Sequence, residues 1–301
     1  MTLPAVLVEA FADRPCRGNG AAVVLLERGL ADGQLQAVAR SLNQSETAFL
    51  WRRSGEWGLR WFTPSCEVPL CGHGTLGALL ALGHWGLANP GETLAFRSLS
   101  GALEATLLSD DGALAGSIVL PSPGLTAAPP PASLERMLAE CLGTRMERCW
   151  TSPLGYTVAL LPAEAGLATA RLPAAAVPAA NRPGLVLMQP LGSRGPVPEV
   201  LGERCRYQLR FLAPGLGIDE DPVTGSAHAL VAPWWLEQLG VDRLAGWQCS
   251  PRSGGMVCEP TVSGMIRLTG TGHLLWDGHL HLDADAPSGA SSGPGWDRLW
   301  A

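Results

Sequence analysis

Two stretches of the chain combine residue types and spacings that can do chemistry. In the first, Arg60-Trp61-Phe62 leads through Pro64 and Glu67 to Cys71-Gly72-His73-Gly74-Thr75, where an apolar run opens. In the second, Arg210-Phe211-Leu212 leads through Pro214 and Glu220-Asp221-Pro222 to Thr224-Gly225-Ser226-Ala227-His228, and another apolar run follows. Each is a small-residue turn at the expected start of a helix. Such a start leaves backbone N–H groups unpaired and carries partial positive charge, so it can hold an oxyanion or carboxylate at close range. One Gly-His-Gly is a weak signal, since small turns precede helices in every kind of fold. The pairing is stronger: Glu67, Pro69, Gly72 and Leu79 fall opposite Glu220, Pro222, Gly225 and Ala232 at one constant offset. A duplicated and fused chain of this kind is expected to place its site in the cleft between the halves, where equivalent turns face one substrate from opposite sides.

Positioning these turns requires buried helices with strands around them. The runs Leu76 to Leu82 and Ala229 to Leu236, the latter despite Pro233, are apolar on every side, and a helix of that kind must be buried all round. Strands are expected at Ala5 to Phe11, Ala21 to Leu26, Ala48 to Trp51, Leu103 to Leu108 and Leu114 to Leu120. Asp32 is placed to cap a helix whose Leu35, Val38, Ala39 and Leu42 repeat at helical spacing. The fold class that follows is α+β, with two pseudo-symmetric domains, each a curved and mostly antiparallel sheet rolled around a central buried helix. Pro121 to Ala132 reads as the connector. The expected divisions are 1–123, 124–283 and a flexible tail over 284–301, rich in Gly, Ser, Ala and Pro, in which Trp296, Leu299 and Trp300 are available to dock.

Composition narrows the chemistry. The 301 residues are 47% hydrophobic and 16% charged, enough for two cores, and the formal charge of −6 offers no basic field for nucleic acid. Glu9, Asp13, Arg14, Pro15 and Arg17 interrupt the first twenty residues, so neither a leader nor a membrane span is expected and a cytoplasmic location is the default. All 21 basic residues are arginine, which excludes a lysine Schiff base and a phosphate-loop lysine. The eight cysteines form no Cys-x-x-Cys pair and are expected to be reduced and mostly buried. His279 and His281 share one face of an expected strand near His273, and solvated strand histidines are the plainer reading there than a metal site.

Four blocks in order, Glu9-Ala10-Phe11 to Arg17-Gly18-Asn19, Ser45 to Phe49, Arg60 to Pro64 with Leu70 to His73, and Glu220 to His228, resemble the phenazine-biosynthesis PhzF-like proteins. Gln248 to Gly255 is a looser fifth match. The resemblance implies the diaminopimelate epimerase-like fold, a homodimer, and an isomerase that moves a proton between carbons of a small carboxylated metabolite without cofactor or metal. It implies catalytic roles for Glu46, His73, Asp221 and Ser226. Asn19, Ser45, Gly72, Gly74, Thr75, Gly225 and Ala227 are then the substrate-binding residues, the small ones through their backbones. A buried carboxyl can both take and return a proton, and helix-end N–H groups can stabilise the enolate or carboxylate that forms.

Residue type alone leaves other readings open. Glu46 can be a solvated loop carboxylate, His73 a helix cap, Asp221 a turn residue, and Ser226 merely small. Cys71 stands where the epimerases carry a catalytic cysteine, but its counterpart is Thr224, so a two-cysteine racemase scheme is incomplete. A small buried packing residue is the alternative for Cys71. Amino-acid racemisation and a non-catalytic binding protein on the same fold are the competing functions. Pro69, Gly20, Gly74 and Ser253 depart from the family pattern.

Overall fold

The computed structural model describes residues 1–110, 113–192, 196–262, 264–282 and 294–301. Two compact units divide the chain, Met1–Val119 with Thr269–Ala301 as the first and Leu120–Leu268 as the second. The fold class is α+β, as expected.

In the first unit, β1 (Thr2–Ala10), β2 (Asn19–Leu26), β3 (Glu46–Arg53) and β4 (Glu56–Phe62) are consecutive neighbours, paired antiparallel, parallel and antiparallel. β1 stops one residue earlier than expected because Phe11 takes a left-handed backbone, φ 56°. Beyond β4 come Thr93–Ser98, in parallel, then Gly101–Asp110 and Ala113–Pro121, both antiparallel. Ala113–Pro121 pairs with Met265–His281, which pairs with β1, so these strands close on themselves. Helix α2 (Gly72–His84) packs on β1, β2, β3 and Gly101–Asp110, and every residue from His73 to Leu82 is buried. Its apolar character on all sides follows from that enclosure. Helix α1 (Asp32–Leu42) is the right length to cross from β2 to the parallel β3 and buries Leu35, Val38 and Ala39.

Three sequence expectations need correction here. Asp32 does not cap α1; Ala31 is the N-cap residue, and the Gln34 side chain accepts its N–H at 3.1 Å. Asp32 turns instead to Arg60, 2.8 Å away. Residues 269–281, assigned from sequence to the second half, belong to the first, because Met265–His281 pairs with β1 from Thr2↔His281 to Ala10↔Gly272. A partner at the opposite end of the chain leaves no local signal. The stretch 284–293 of the expected flexible tail falls outside the described residues. Beyond it the short helix Pro294–Asp297 docks: Trp296 is fully buried, edge-on to Trp51 at 5.4 Å, with its indole N–H donating to the Leu30 carbonyl at 3.1 Å. Trp296→Ala is expected to cost about 3–5 kcal/mol, read as a lowered urea midpoint at unchanged slope.

The second unit repeats the same sequence of pairings. Thr157–Leu160 lies parallel to Leu185–Pro190, which is antiparallel to Glu203–Ala213; that strand is parallel to Leu244–Gln248, which is antiparallel to Gly254–Pro260. This matches β2, β3, β4, Thr93–Ser98 and Gly101–Asp110 step for step. Where α1 makes the crossover in the first unit, three short 3₁₀ turns do so here, between residues 167 and 181. Pro173 and Pro178 stand at two of them and deny an α-helix its N–H groups. Helix α3 (Ala132–Leu142) contributes Leu134, Met137 and Leu138 to the core that also holds Trp247. Helix α4 (Gly225–Leu239) is the counterpart of α2 and tolerates Pro233 on an exposed face. Trp235 stacks on Tyr207 at 5.3 Å and builds core, while Trp234, half-buried, meets Trp150 edge-on at its margin.

Under α4, the Tyr207 hydroxyl and His228 Nδ1 are 2.8 Å apart in full burial. Burial drives the His228 pKa down to about 3. Its folded value lies below its unfolded one, so the stability it permits is complete above about pH 6.5 and falls as pH drops toward 3. His228→Gln is expected to flatten the acid limb of a stability–pH curve in that window. No helix among the described residues is long and apolar enough to cross a membrane.

Candidate active site

Four of the first unit's expected site residues meet at the N-terminus of α2. β3 begins at Glu46 because its register against β2 begins there, Ala21↔Glu46, and this fixes the carboxylate beside the first turn of α2. Glu46 Oε2 lies 2.9 Å from His73 Nε2, with the two residues 8% and 5% exposed. The contact is at ion-pair distance without hydrogen-bond alignment. Asn19 Nδ2 stands 3.1 Å from His73 Nδ1, and the Ser45 hydroxyl donates to Asn19 Oδ1 at 3.3 Å. Asn19 and Ser45 therefore hold the ring that faces Glu46. The solvated-loop reading of Glu46 does not survive its burial.

His73 is not the cap of α2. The N-cap is Cys71, whose sulfur accepts the Gly74 N–H at 3.3 Å and whose carbonyl accepts the Thr75 hydroxyl at 2.6 Å and the Thr75 N–H at 3.1 Å. Gly74 and Thr75, expected to bind substrate, thus have these groups directed to Cys71. Gly74 must also be glycine for packing: a Cβ there would sit 2.7 Å from Trp61 Cδ1 and 2.9 Å from Cys71 Sγ. Among the described residues, the N–H groups of Gly72 and His73 meet no such acceptor, and they open the helix. Burial pushes the Cys71 thiol up, with His73 pulling the other way. Burial also opposes an imidazolium at His73, but the Cys71 sulfur and the Glu46 carboxylate outweigh it and hold its pKa well above the ordinary value.

The second unit's residues gather at the N-terminus of α4. Thr224 is the N-cap by position, but its hydroxyl donates to Asp221 Oδ2 at 2.5 Å and accepts from Gln248 Nε2 at 3.4 Å, and it caps no helix N–H. Among the described residues, the N–H groups of Gly225, Ser226 and Ala227 have no side-chain cap, and the helix dipole is directed outward at them. Two residues were not assigned from sequence. Gln248 is fully buried, accepts the Thr224 N–H at 2.7 Å and donates to the Asp221 carbonyl, so it fixes the turn. The Gln248 to Gly255 block was its only sequence signal. The Tyr156 hydroxyl lies 3.4 Å from Ser226 Oγ, its ring 4.8 Å from that of Phe211. Gly184 makes the seat, because a Cβ there would run into the Tyr156 ring. Burial raises the Tyr156 pKa, with Ser226 opposing and Asp221 adding to it, so the phenol stays protonated as a donor. Nothing in the local sequence marks Tyr156, seventy residues from Ser226.

A family model described as phenazine biosynthesis-like protein matches residues 8–275. An uncharacterized isomerase of Pseudomonas aeruginosa is 35% identical over 282 residues, covering 94% of this chain and 100% of that protein. The human phenazine biosynthesis-like domain-containing protein is 33% identical over 301 residues, covering 93% and 99%. Among solved structures, a PhzF-family protein of Enterococcus faecalis matches with a TM-score of 0.80 at 30% identity, over 94% of this chain and 100% of that one. A hydroxyproline epimerase of Agrobacterium vitis matches with a TM-score of 0.60 at 11% identity over 94% of each chain, a likeness of fold alone.

Proposed function

The chain belongs to the phenazine biosynthesis-like family, and on that premise we propose that it is an isomerase that moves a proton between carbons of a small carboxylated metabolite, with Glu46 as the acid and base. The isomerase names of its Pseudomonas aeruginosa relatives support the reaction class. The observation that carries the rest is the buried Glu46–His73 pair beside the open N–H groups of Gly72 and His73.

Glu46 takes a proton from a carbon next to an electron-withdrawing group. The electron pair left behind moves onto the adjoining oxygen, which the α2 N–H groups stabilise as it gains charge. Glu46 then returns the proton at the new carbon. His73 holds the carboxylate's orientation through Nε2, and Asn19 and Ser45 hold His73. No electrons leave the substrate, so this sequence is balanced without an oxidant or reductant. Asp221, Ser226 and Tyr156 are the corresponding polar groups of the second turn, and the N–H groups of α4 give it an anion cradle.

The test is deuterium incorporation in heavy water, read by mass spectrometry, across cyclic and acyclic carboxylic acids first shown by calorimetry to bind. Exchange at carbon in a binding acid is the expected result. Acids that bind and never exchange would leave a binding protein instead. For an acid that does exchange, Tyr156→Phe is expected to raise KM by about three- to tenfold with kcat nearly unchanged, the worth of one neutral hydrogen bond. An unchanged KM would remove Tyr156 from the site.

A further inference from the structure

The described residues bring three different metal-ligating side chains together in one place. Glu46, Cys71 and His73 each offer a donor atom, and all three donors lie within 4.8 Å of one another. We propose that Glu46, Cys71 and His73 form a binding site for a single divalent cation of the zinc and cadmium class, and that the bound cation switches proton transfer off.

The spacing is close to what such an ion needs. A tetrahedral zinc with bonds of about 2.0–2.3 Å holds neighbouring donors roughly 3.3–3.7 Å apart. The Glu46 Oε2 to His73 Nε2 distance is 2.9 Å and the Cys71 Sγ to Nε2 distance 3.8 Å, so these two pairs reach that spacing by shifts of tenths of an ångström; Glu46 and Cys71 lie within 4.8 Å and close by up to about 1 Å, and the sulfur, now 3.6 Å from Nδ1, swings toward Nε2. All three residues are buried without being sealed, at 8%, 6% and 5% exposure.

An outer layer of support is also present. Metal-bound histidines nearly always have their second ring nitrogen held by a neighbour, and bound thiolates accept N–H bonds. Here Asn19 stands 3.1 Å from His73 Nδ1, supported by Ser45, and the Gly74 N–H points at Cys71 Sγ from the first turn of α2. Turning the Asn19 amide presents its oxygen to an Nδ1–H and frees Nε2 for the cation.

The donor set selects the ion. A thiolate and an imidazole favour zinc and cadmium, whereas magnesium and calcium need oxygen donors. Binding forms metal–sulfur, metal–nitrogen and metal–oxygen bonds and releases the thiol proton and the Nε2 proton to solvent; nothing is oxidised or reduced. With Nε2 and the Glu46 oxygen engaged by the ion, neither can take a proton from carbon. The fourth position stays open to water or to a substrate carboxylate. Binding itself rests on the geometry of these side chains and holds whether or not the isomerase reading does.

Cadmium is the probe, because a cadmium–thiolate bond absorbs in the ultraviolet. Cys16 and Cys66 are the exposed cysteines, so the titration starts from Cys16→Ser/Cys66→Ser to remove surface thiols. The expected result is a charge-transfer band saturating at one equivalent, displaced by zinc and not by excess magnesium. Cys71→Ser should abolish the band. Glu46→Gln and Asn19→Ala should keep it while weakening affinity by about tenfold or more. If Cys71→Ser does not fold, the other two variants carry the test. A band that survives in folded Cys71→Ser, or an affinity untouched by both Glu46→Gln and Asn19→Ala, overturns the proposal. Where an exchanging substrate is in hand, its deuterium exchange should fall in step with occupancy and return on chelation; full exchange at saturation overturns the switch while leaving the site.

Discussion

Glu46→Gln is expected to lower proton exchange at carbon by about 10²–10⁴-fold, the usual contribution of one positioned acid–base group. The amide keeps the shape and burial of the carboxyl, and the substituted residue stays within reach of His73, so folding and substrate binding should change little. The measurement is deuterium uptake by wild type and variant side by side, with binding read separately by calorimetry. Loss of exchange with binding retained assigns the proton to Glu46. Exchange within a few-fold of wild type would remove Glu46 from the chemistry and direct attention to Cys71, the remaining ionisable side chain beside His73. That second outcome would favour the racemase reading, and Cys71 is poorly suited to it. Burial pushes its thiol up, its sulfur already caps α2 through Gly74, and the equivalent residue in the second unit is a threonine whose hydroxyl is bound to Asp221.

What the sequence made legible was whatever local pattern encodes. The apolar runs at Leu76 to Leu82 and Ala229 to Leu236 became α2 and α4; the first is enclosed on every side, whereas the second leaves Pro233 exposed and Trp234 half-buried. The constant offset between the turns became the same order of parallel and antiparallel strands in the two units. Glu46 and His73 were within reach because the resemblance named them, and the parallel register of β2 and β3 then explains how they meet. Less legible was how each polar group is shared out. Cys71 was weighed as a nucleophile or as packing, yet it is the cap of α2, a role that depends on where one sulfur points. Thr224 occupies a capping position, yet its hydroxyl is shared between Asp221 and Gln248 and caps no N–H of α4, while the N–H groups of Gly74 and Thr75 are engaged by Cys71. Tyr156, Gln248 and Trp296 find their partners far along the chain, and long-range pairing has no periodicity to read.

The repeat also predicts how the units are held together internally, and where they differ. Each carries a buried arginine clamped by a glutamate from the same arm: Arg60 to Glu67 at 2.6 Å, Arg210 to Glu220 at 2.5 Å. Both guanidinium groups make two parallel bonds to the carboxylate, the strong geometry for such a pair. Removing one partner of a buried pair leaves an uncompensated charge and costs about 3–5 kcal/mol. Glu220→Ala is expected to fall in that range, because the partners Arg210 then keeps among the described residues are backbone carbonyls, Leu167 at 3.4 Å and Ala170 at 2.6 Å. Glu67→Ala should cost less, because Asp32 still reaches Arg60 at 2.8 Å and Trp296 covers its guanidinium at 5.2 Å. The double variant Glu67→Ala/Asp32→Ala should bring the first unit's loss up toward the second's. Urea unfolding of the four proteins measures this, and the ordering decides it. Equal losses in the two single variants would mean that Asp32, 40% exposed, is too well hydrated to stand in for the glutamate. A smaller loss from Glu220→Ala than from Glu67→Ala would mean that two carbonyls satisfy a buried guanidinium better than a partly exposed carboxylate does.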